Sequence, residues 1–578
     1  MTDEGRAAPL DAGDPGPTTA GPKAPTDRAE AEIALRAARI ATLSDELRAV
    51  RKELRAVIRE RDRARADLAA LRRRRAVRMA LQLTGAGRRL GSLGRRRRSS
   101  SGADPSASAS VALSASEAGP GPATFRAALL ARLAATDASA APMRIALAGE
   151  TARLGDALTG LGWRVTSLPP GSGGPDAPAG PVDAVISGSS ELDVRALPDG
   201  TVAVAWVDGP PEAWLASPWF DDYDLVLTLD AATAARIDGA SAQVARVPGT
   251  PGAPATKDAL ATFVRDELAA WARGPQLDIA IGVPSWEAAP GWGDTHFARA
   301  LQRALRRRAH AARVRIRPDW ERASSARADA VIHLFGLVER RVRADQVNVL
   351  WVISHPDLVT DAYVSRQDVV FVAADAFAAR LAARTGREIL PLHQATDPER
   401  FRPVQGGPAH DLLFVANSRG VRRRIVDELA PTVRDLAVYG RAWTPDLLDP
   451  RHLRGDHIPN EDLAAAYSAA RIVLNDHWPD MAAEGFLSNR LYDAAACGAF
   501  VVSDRVEGID AEFDGGVVAF TDGAELRALV DRYLADEDGR AAHAMAARDA
   551  VLARHTFAHR AERILEVIGP LLADRRPS

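Results

Sequence analysis

The clearest folding signal in the chain is the stretch NDHWPDMAAEGFLSNRLYDAAACGAFVVSD, which runs from Asn475 to Asp504. Its residue pattern predicts a loop, a helix from about Ser488 to Ala496 that Gly498 ends, and a buried strand from Phe500 to Ser503. Ser488 and Asn489 are residue types that favour helix N-termini. Because a helix start has unpaired N–H groups and a partial positive charge, we expect this one to hold an anion.

Strand–helix–strand alternation surrounds this stretch and predicts an α/β protein. It occurs from Met143 to Val247, again from Leu277 to Leu392, and a third time from Asp411 onward. The first two regions share short segments in the same order, which predicts duplication of a Rossmann-like unit, with generic α/β similarity as the alternative. The matched segments are VDAVISG from Val182 with ADAVIHL from Ala328, TVAVAWVDGPPE from Thr201 with QVNVLWVISHPD from Gln346, and YDLVLTLDAATAARI from Tyr223 with QDVVFVAADAFAARL from Gln367.

The two copies differ where a ligand would bind. In the second copy the strand Leu277–Val283 is followed by the Gly/Trp loop PSWEAAPGWGD and by a helix capped at Asp294 or Thr295. The first copy has no such loop, and it has Pro210 where the second has His355. Since α/β folds bind ligands at the carboxyl ends of parallel strands, we expect the second copy to have kept a ligand-facing rim.

Length and composition exclude several classes of protein. A chain of 578 residues predicts several domains, and a net charge of −2 gives no general attraction to nucleic acid. The single cysteine, Cys497, excludes an intrachain disulfide framework and a Cys-rich metal site. No apolar run reaches the roughly 18 residues of a membrane span, and the N-terminus lacks the order of a signal peptide, so a cytoplasmic location is expected.

The N-terminal region predicts association rather than catalysis. Apolar residues follow a heptad pattern between Ile33 and Leu71, which predicts a coiled coil and self-association; a solvated single helix is the alternative. Eleven arginines and no acid follow between Arg72 and Arg98. This segment predicts contact with the anionic inner face of the plasma membrane, with a solvated charge run or, more weakly, RNA binding as alternatives.

These patterns divide the chain into six segments. The expected order is 1–26 disordered, 27–72 coiled coil, 73–122 basic segment and Ser/Ala/Gly/Pro linker, 123–275 accessory Rossmann-like domain, 276–405 acceptor domain, and 406–578 donor domain with terminal helices.

The motif Asn489-Arg490-x-aromatic-acid, followed by Cys497-Gly498, resembles the C-terminal signature of GT-B glycosyltransferases, and most closely their CgeB-like branch. The segment LPLHQATDPERFRP, 390–403, resembles the hinge between the two domains of such enzymes. The resemblance covers roughly residues 277–570 and implies an α/β fold with a GT-B-type pair of Rossmann-like domains, here preceded by the extra α/β unit and the coiled coil.

The resemblance implies a hexosyltransferase-like enzyme of polysaccharide biosynthesis. It would move a sugar from a nucleotide diphosphate-sugar donor to a cell-surface glycan, lipid-linked or protein acceptor, with no cofactor and no metal. Two alternatives stay open. One is a nucleotide-sugar-binding scaffold without turnover, and the other is a non-hydrolysing sugar-nucleotide epimerase.

The resemblance also implies the donor site. Arg419, displayed by a turn at Gly420, and Arg490 are expected to clamp the diphosphate, Asp493 to hold the ribose, and Glu484 to contact the sugar. Ordinary turn or helix-pair roles are the alternatives, and Arg422 to Arg424 are expected to be solvated. The full set of expected donor-binding residues is Asn417, Ser418, Arg419, Gly440, Ile458, His477, Glu484, Ser488, Asn489, Arg490 and Asp493.

An acceptor base must come from the facing domain. Asp294, His296 and His355 are the candidates, because an aspartate or a histidine can accept a proton near neutral pH. Helix capping is the alternative role for Asp294.

Overall fold

The structure, a computed structural model, describes residues 121–135, 141–168, 182–248, 256–429 and 432–575. The predicted disordered segment, coiled coil and basic segment lie outside the described residues. The described part of the chain contains three six-stranded sheets, and every strand pairing within them is parallel. We call the α/β units built on these sheets domain 1, domain 2 and domain 3, in chain order.

Domain 1 is built on four largely buried central strands and two more exposed edge strands. Its strands are β1 (Arg144–Ala148), β2 (Arg164–Ser167), β3 (Ala184–Ser187), β4 (Val202–Val207), β5 (Leu225–Thr228) and β6 (Ala245–Arg246). Its helices are α1 (Pro122–Ala134), α2 (Ala152–Gly160), α3 (Glu212–Leu215), α4 (Ala231–Ala240) and α5 (Lys257–Arg273). The sheet order is β2-β1-β3-β4-β5-β6, and apolar clusters cover both faces, as a parallel sheet requires.

Domain 2 repeats this architecture. Its strands are β7 (Gln276–Ile281), β8 (Ala311–Arg315), β9 (Ala330–Phe335), β10 (Val347–Val352), β11 (Val369–Val372) and β12 (Leu390–Pro391), and its helices are α6 (Gly293–Arg306), α7 (Asp361–Val364) and α8 (Asp375–Thr385). The order β8-β7-β9-β10-β11-β12 is that of domain 1, strand for strand. Trp206 in β4 and Trp351 in β10 hold the same position in equivalent strands and are both buried, as the internal repeat predicts.

Domain 3 has a different strand order. Its strands are β13 (Leu412–Val415), β14 (Leu436–Tyr439), β15 (Leu453–Gly455), β16 (Ile472–Asn475), β17 (Val501–Asp504) and β18 (Val518–Phe520). The helices that follow β13 are α9 (Arg424–Leu429), α10 (Leu463–Ala469), α11 (Pro479–Ala483), α12 (Asn489–Ala496), α13 (Ile509–Glu512), α14 (Gly523–Ala535), α15 (Glu537–Arg554) and α16 (Phe557–Asp574). The order β15-β14-β13-β16-β17-β18 reverses direction between β13 and β16, and such a switch point opens a crevice at the carboxyl ends of the strands.

The last helix returns to domain 2. Phe557, Ile564, Ile568 and Leu572 of α16 belong to the same buried cluster as Phe297 of α6, and the rings of Phe557 and Phe297 lie 4.6 Å apart. The chain therefore crosses between domains 2 and 3 twice, once near residues 392–403 and once before α16.

Two element boundaries differ from those that the sequence predicts. The residue pattern after Asp411–Ala416 predicts a helix from about Val421, but the helix begins at Arg424, because Arg419 and Gly420 both have positive φ (54° and 75°) and lengthen the turn. The helix after β7 begins at Gly293 with Trp292 before it, and no side chain caps it, so neither Asp294 nor Thr295 has the predicted capping role.

Candidate functional site

A cleft of about 310 Å³ lies between domains 2 and 3, at the switch point of the domain 3 sheet. The loop before α6 and the start of α6 form one wall, and the loops after β13, β14, β15 and β16 form the other. Eight of the predicted site residues line it together: His296, Asn417, Arg419, Gly440, Ile458, His477, Ser488 and Arg490.

The loop after β13 is built to display Arg419. The Ser418 hydroxyl donates to the Ala442 carbonyl and accepts from the Gly420 N–H, 3.0 Å away, while Asn417 Oδ1 accepts from the Arg441 N–H at 2.7 Å. Ser418 is fully buried, so its role is to fix the loop rather than to touch a ligand. Arg419 adopts the left-handed conformation, a strained state that proteins keep where a side chain must be aimed.

Two guanidinium groups lie over the ring of Trp478. Arg419 is 4.8 Å from the ring centre and Arg423 is 4.3 Å from it, within cation–π range. Arg423 is buried in an ion pair with Asp476, which contradicts the expectation that it is solvated. Arg419 makes no hydrogen bond or ion pair with any described residue, and burial lowers its pKa, with the Arg423 charge adding to that effect.

The start of α12 is held by a histidine. His477 Nδ1 lies 2.6 Å from Asp504 Oδ1, and its Nε2 accepts the Ser488 N–H at 2.9 Å. Burial opposes ionisation of Asp504, but the interactions with His477 and the hydrogen bond from Ser503 together outweigh it and lower the pKa of that carboxyl. Both ring nitrogens of His477 are therefore occupied, and its ring positions the helix start.

Arg490 carries the second cation of the cleft. Its Nη1 donates to Asn475 Oδ1 at 2.5 Å, and no carboxylate among the described residues lies within ion-pair distance of it. Burial lowers the pKa of Arg490, and the more distant charges of Asp476 and Asp504 offset this effect only in part. The alternative role, a helix pair of Arg490 with Asp493, is absent from these contacts.

Asp493 lies in an adjoining chamber of about 590 Å³, which shares Arg490 and His296 with the cleft. Its Oδ1 accepts from the Thr396 hydroxyl at 2.7 Å and its Oδ2 from Asn489 Nδ2 at 2.9 Å. Burial raises the pKa of Asp493 to about 8. Arg419, Arg490 and Asp493 thus face one continuous crevice, although Asp493 and Asn489 line its inner chamber.

The three candidate bases lie on the domain 2 side. Nε2 of His296 lies 3.1 Å from the Pro290 carbonyl and donates to it, which leaves Nδ1 with a free lone pair, and burial lowers the pKa of the ring. Burial raises the pKa of Asp294 and lowers that of His355, and the nearby charge of Arg419 acts on both groups. His355 has a positive φ of 52°, and its Nδ1 lies 3.0 Å from the Ser354 hydroxyl.

Glu484 lies away from the cleft, contrary to prediction. It forms an ion pair with Arg380 of domain 2 and lines a separate surface depression. Gly485, directly after it, has a φ of 79°, so the backbone turns immediately beyond Glu484. The sugar-contacting role predicted for Glu484 is therefore not supported by its position.

Sequence reasoning missed Arg423, Asp476 and Trp478. The sequence did offer a signal for them. Asp476 and Trp478 flank His477 at the carboxyl end of a strand, and Arg423, four residues after Arg419, lies at the end of the neighbouring strand's loop and can reach them. Trp443 lies in the core of domain 3, where its Nε1 donates to the Ala416 carbonyl at 2.9 Å.

Within the described ranges, no group of three or more His, Cys, Asp or Glu side chains is placed to hold a metal ion. No helix in the same part of the chain has the length and apolar character needed to cross a bilayer. Metal independence stays a prediction.

Residues 419–566 match a family model described as glycosyl transferase-like. This match covers Arg419, the start of α12 and most of domain 3, so the similarity to glycosyl transferase-like proteins lies in the C-terminal part of the chain. Domains 2 and 3 are Rossmann-like and face each other across a cleft, and the matched region lies in the second of the two. This is the GT-B arrangement that the sequence predicted. The narrower CgeB-like assignment stays a prediction.

Solved structures similar to the chain include AviGT4, a glycosyltransferase involved in avilamycin A biosynthesis, at 18% identity and a TM-score of 0.37, covering 52% of this chain and 99% of that one. Anabaena HepE in complex with UDP-glucose is similar at 13% identity and a TM-score of 0.35, covering 51% of this chain and 99% of that one. WaaG, a glycosyltransferase involved in lipopolysaccharide biosynthesis, is similar at 14% identity and 0.35, covering 50% and 99%. A comparison with curated protein sequences gave no significant match.

Proposed function

We propose that the chain transfers a sugar from a nucleoside diphosphate-sugar to a glycan, lipid-linked or protein acceptor, without a metal ion. The observation that carries this proposal is the pairing of charges in the cleft. Arg423 is neutralised by Asp476, whereas Arg419 and Arg490 line the same cleft with no carboxylate partner among the described residues. Two partly desolvated cations with no carboxylate in ion-pair contact favour a dianionic ligand such as a diphosphate.

The chemistry follows from where charge develops. The bond between the sugar C1 and the diphosphate oxygen breaks with its electron pair going to the oxygen, and the acceptor hydroxyl oxygen forms the new bond to C1. Arg419, Arg490 and the first turn of α12 stabilise the diphosphate charge as it leaves. The acceptor proton goes to a base on domain 2, and His296 is the best placed because it lines the cleft, is neutral, and has Nδ1 free.

Donor binding is tested with Arg419→Ala and the matched control Arg422→Ala. Arg422 is three residues away but exposed, and it pairs with Asp427 at 3.1 Å. Loss of a charge-assisted hydrogen bond of about 1.5–3 kcal/mol corresponds to roughly 10- to 150-fold weaker binding. In thermal-shift titrations with UDP-, GDP- and dTDP-sugars, we expect this loss in Arg419→Ala alone. Equal donor affinity in the two variants would contradict the proposal.

Turnover separates the proposed transferase from its alternatives. We expect release of nucleoside diphosphate with a cell-envelope fraction as acceptor, and loss of most of this rate in His296→Asn with donor affinity kept. Binding without release under any acceptor would indicate a scaffold, and interconversion of donors without acceptor would indicate an epimerase.

A further inference from the structure

Trp286, in the loop between β7 and α6, is held by contacts from several sides. Its indole N–H donates to Asp319 Oδ2 at 3.2 Å. The guanidinium of Arg195 lies 3.9 Å from the ring centre and that of Arg299 lies 5.5 Å from it. Trp286 and Arg299 belong to domain 2, whereas Arg195 belongs to domain 1, so one of these contacts crosses between domains.

Arg195 is itself held rigidly. Its Nε donates to Asp222 Oδ2 at 2.6 Å and its Nη2 donates to the Pro218 carbonyl at 2.8 Å. The other oxygen of Asp222 accepts from Arg299 Nη2 at 2.7 Å. Burial opposes ionisation of Asp222, but the charges of Arg299 and Arg195 outweigh it and lower the pKa of that carboxyl. One carboxylate of domain 1 thus ties together both cations that contact the Trp286 ring.

The loop between β7 and α6, which contains Trp286, forms part of the site. Its residues Pro290, Gly291 and Trp292 line the cleft, and Trp286 and Arg195 line the inner chamber together with His296 and Asp493. Any shift of Trp286 therefore moves the segment that lies opposite Arg419 and leads into the helix of His296.

We propose that Arg195 is a positioning residue: domain 1 acts on the transferase site by fixing Trp286 and, through it, the loop that lines the cleft. This inference rests on the proposed function for its kinetic consequence, but not for its structural one. Domain 1 is then a working part of the site rather than a separate support, and a ligand that fills the inner chamber contacts domain 1 directly.

The structural consequence is tested by hydrogen–deuterium exchange of the full chain. The amides of Ala289, Gly291 and Trp292 are protected by short turn bonds of 3.0–3.3 Å within the loop, so their exchange reports its geometry. We expect these amides to exchange at least about tenfold faster in Arg195→Ala. This factor corresponds to the loss of one cation–π contact and the hydrogen bonds of Arg195. The matched control is Arg126→Ala, which breaks an equally buried contact between domains 1 and 2, to Asp329 at 2.6 Å, but touches neither Trp286 nor its loop.

The kinetic consequence is tested with UDP-glucose as the probe. We expect Arg195→Ala to raise its KM about tenfold with kcat changed far less, and Arg195→Lys to recover part of the loss because the cation over the indole remains. Arg126→Ala should leave KM unchanged. Equal effects of Arg195→Ala and Arg126→Ala on loop exchange would overturn the inference. If the wild-type chain neither binds nor turns over nucleotide-sugars, the proposed function fails. Loop exchange would still decide the role of Arg195 in that case.

Discussion

At the residue scale, the site is defined by which charges have partners. Arg423 and Asp476 neutralise each other, and His477 is fully engaged by Asp504 and the Ser488 N–H. Arg419 and Arg490 have no such carboxylate among the described residues and therefore gain most from an anionic ligand. Neighbouring arginines in the sequence thus have opposite roles, and only the partners that the fold supplies distinguish them.

Asp493 gives the site a pH dependence of stability. Burial raises its pKa to about 8, well above the ordinary value of about 3.9, so the folded state keeps the proton longer than the unfolded state does. The stability gained from this proton is fully present below about pH 4 and is lost as pH rises through the folded pKa. An uncharged Asp493 also suits its surroundings, because Asn489 Oδ1 has no partner among the described residues and accepts the carboxyl proton once the amide is flipped.

We therefore expect Asp493→Asn to flatten the fall in stability between about pH 5 and 8.5. Melting temperatures of the wild type and the variant should be close at the acid end, and the variant should become the more stable protein at the alkaline end. The exposed Asp510, paired with Arg505, provides the control variant Asp510→Asn, which should follow the wild type throughout. Parallel melting curves for wild type and Asp493→Asn at every pH would show that Asp493 is ionised in the folded state.

Residue chemistry at strand ends could be predicted from the sequence, but contacts between distant segments could not. The pattern of a strand followed by Asn-Ser-Arg-Gly, and of a helix starting at Asn489-Arg490, located two cations that share one cleft. Glu484 was misplaced because its ion pair with Arg380 joins segments about a hundred residues apart, and no local pattern encodes that contact. The contact of Arg195 with Trp286 joins two domains, and no local pattern encodes it.

At the element scale, the site depends on how closely two strand ends approach. β13 and β14 pair in parallel, and the loops that follow them exchange hydrogen bonds through Asn417, Ser418 and the backbone of residues 441–442. The sequence predicted both strands and the turn, since buried apolar runs and glycines are local signals. It did not predict the length of the turn, which positive φ at Arg419 and Gly420 sets.

Gly440, at the end of β14, is required for this approach. Its φ is 155°, and a Cβ there would overlap the carbonyl oxygen of Ala416 in the neighbouring loop. We expect Gly440→Ala to lower the free energy of unfolding by at least about 2 kcal/mol, measured by urea denaturation, and to weaken donor binding.

The matched control is Gly239→Ala in α4, where a Cβ meets nothing within 4 Å and helix propensity favours alanine. That variant should be neutral or slightly stabilising. A Gly440→Ala protein as stable as Gly239→Ala would mean that the loop after β13 moves aside without cost, and that its geometry is not fixed by β14.

At the scale of the whole molecule, the internal repeat and the GT-B pair share domain 2. Domains 1 and 2 have the same strand order, as the predicted duplication requires, whereas domain 3 has a different order with a central switch point. Domain 2 lines the cleft with the loop before α6, which domain 1 lacks, and domain 1 lines the inner chamber through Arg195, which contacts Trp286. The duplicated sheet order could be predicted from repeated segments, while the use of domain 1 at the site depends on side-chain contacts.

The last helix, α16, packs against a domain other than the one that precedes it in the chain. α16 follows domain 3 in the chain, but its buried face, including Ile568, packs into the core of domain 2. Ile568→Ala should destabilise by about 2–5 kcal/mol, the cost of a large-to-small change in a core. Because the cavity opens in domain 2, hydrogen exchange should accelerate in β7, β9 and β10 while β13, β16 and β17 keep their protection.

Glu566→Ala, which removes an exposed pair with Arg563, is the control on the same helix and should change neither set of strands. Loss of protection in the domain 3 strands instead would mean that α16 stabilises the domain that precedes it, and that the second crossing between domains does not anchor domain 2.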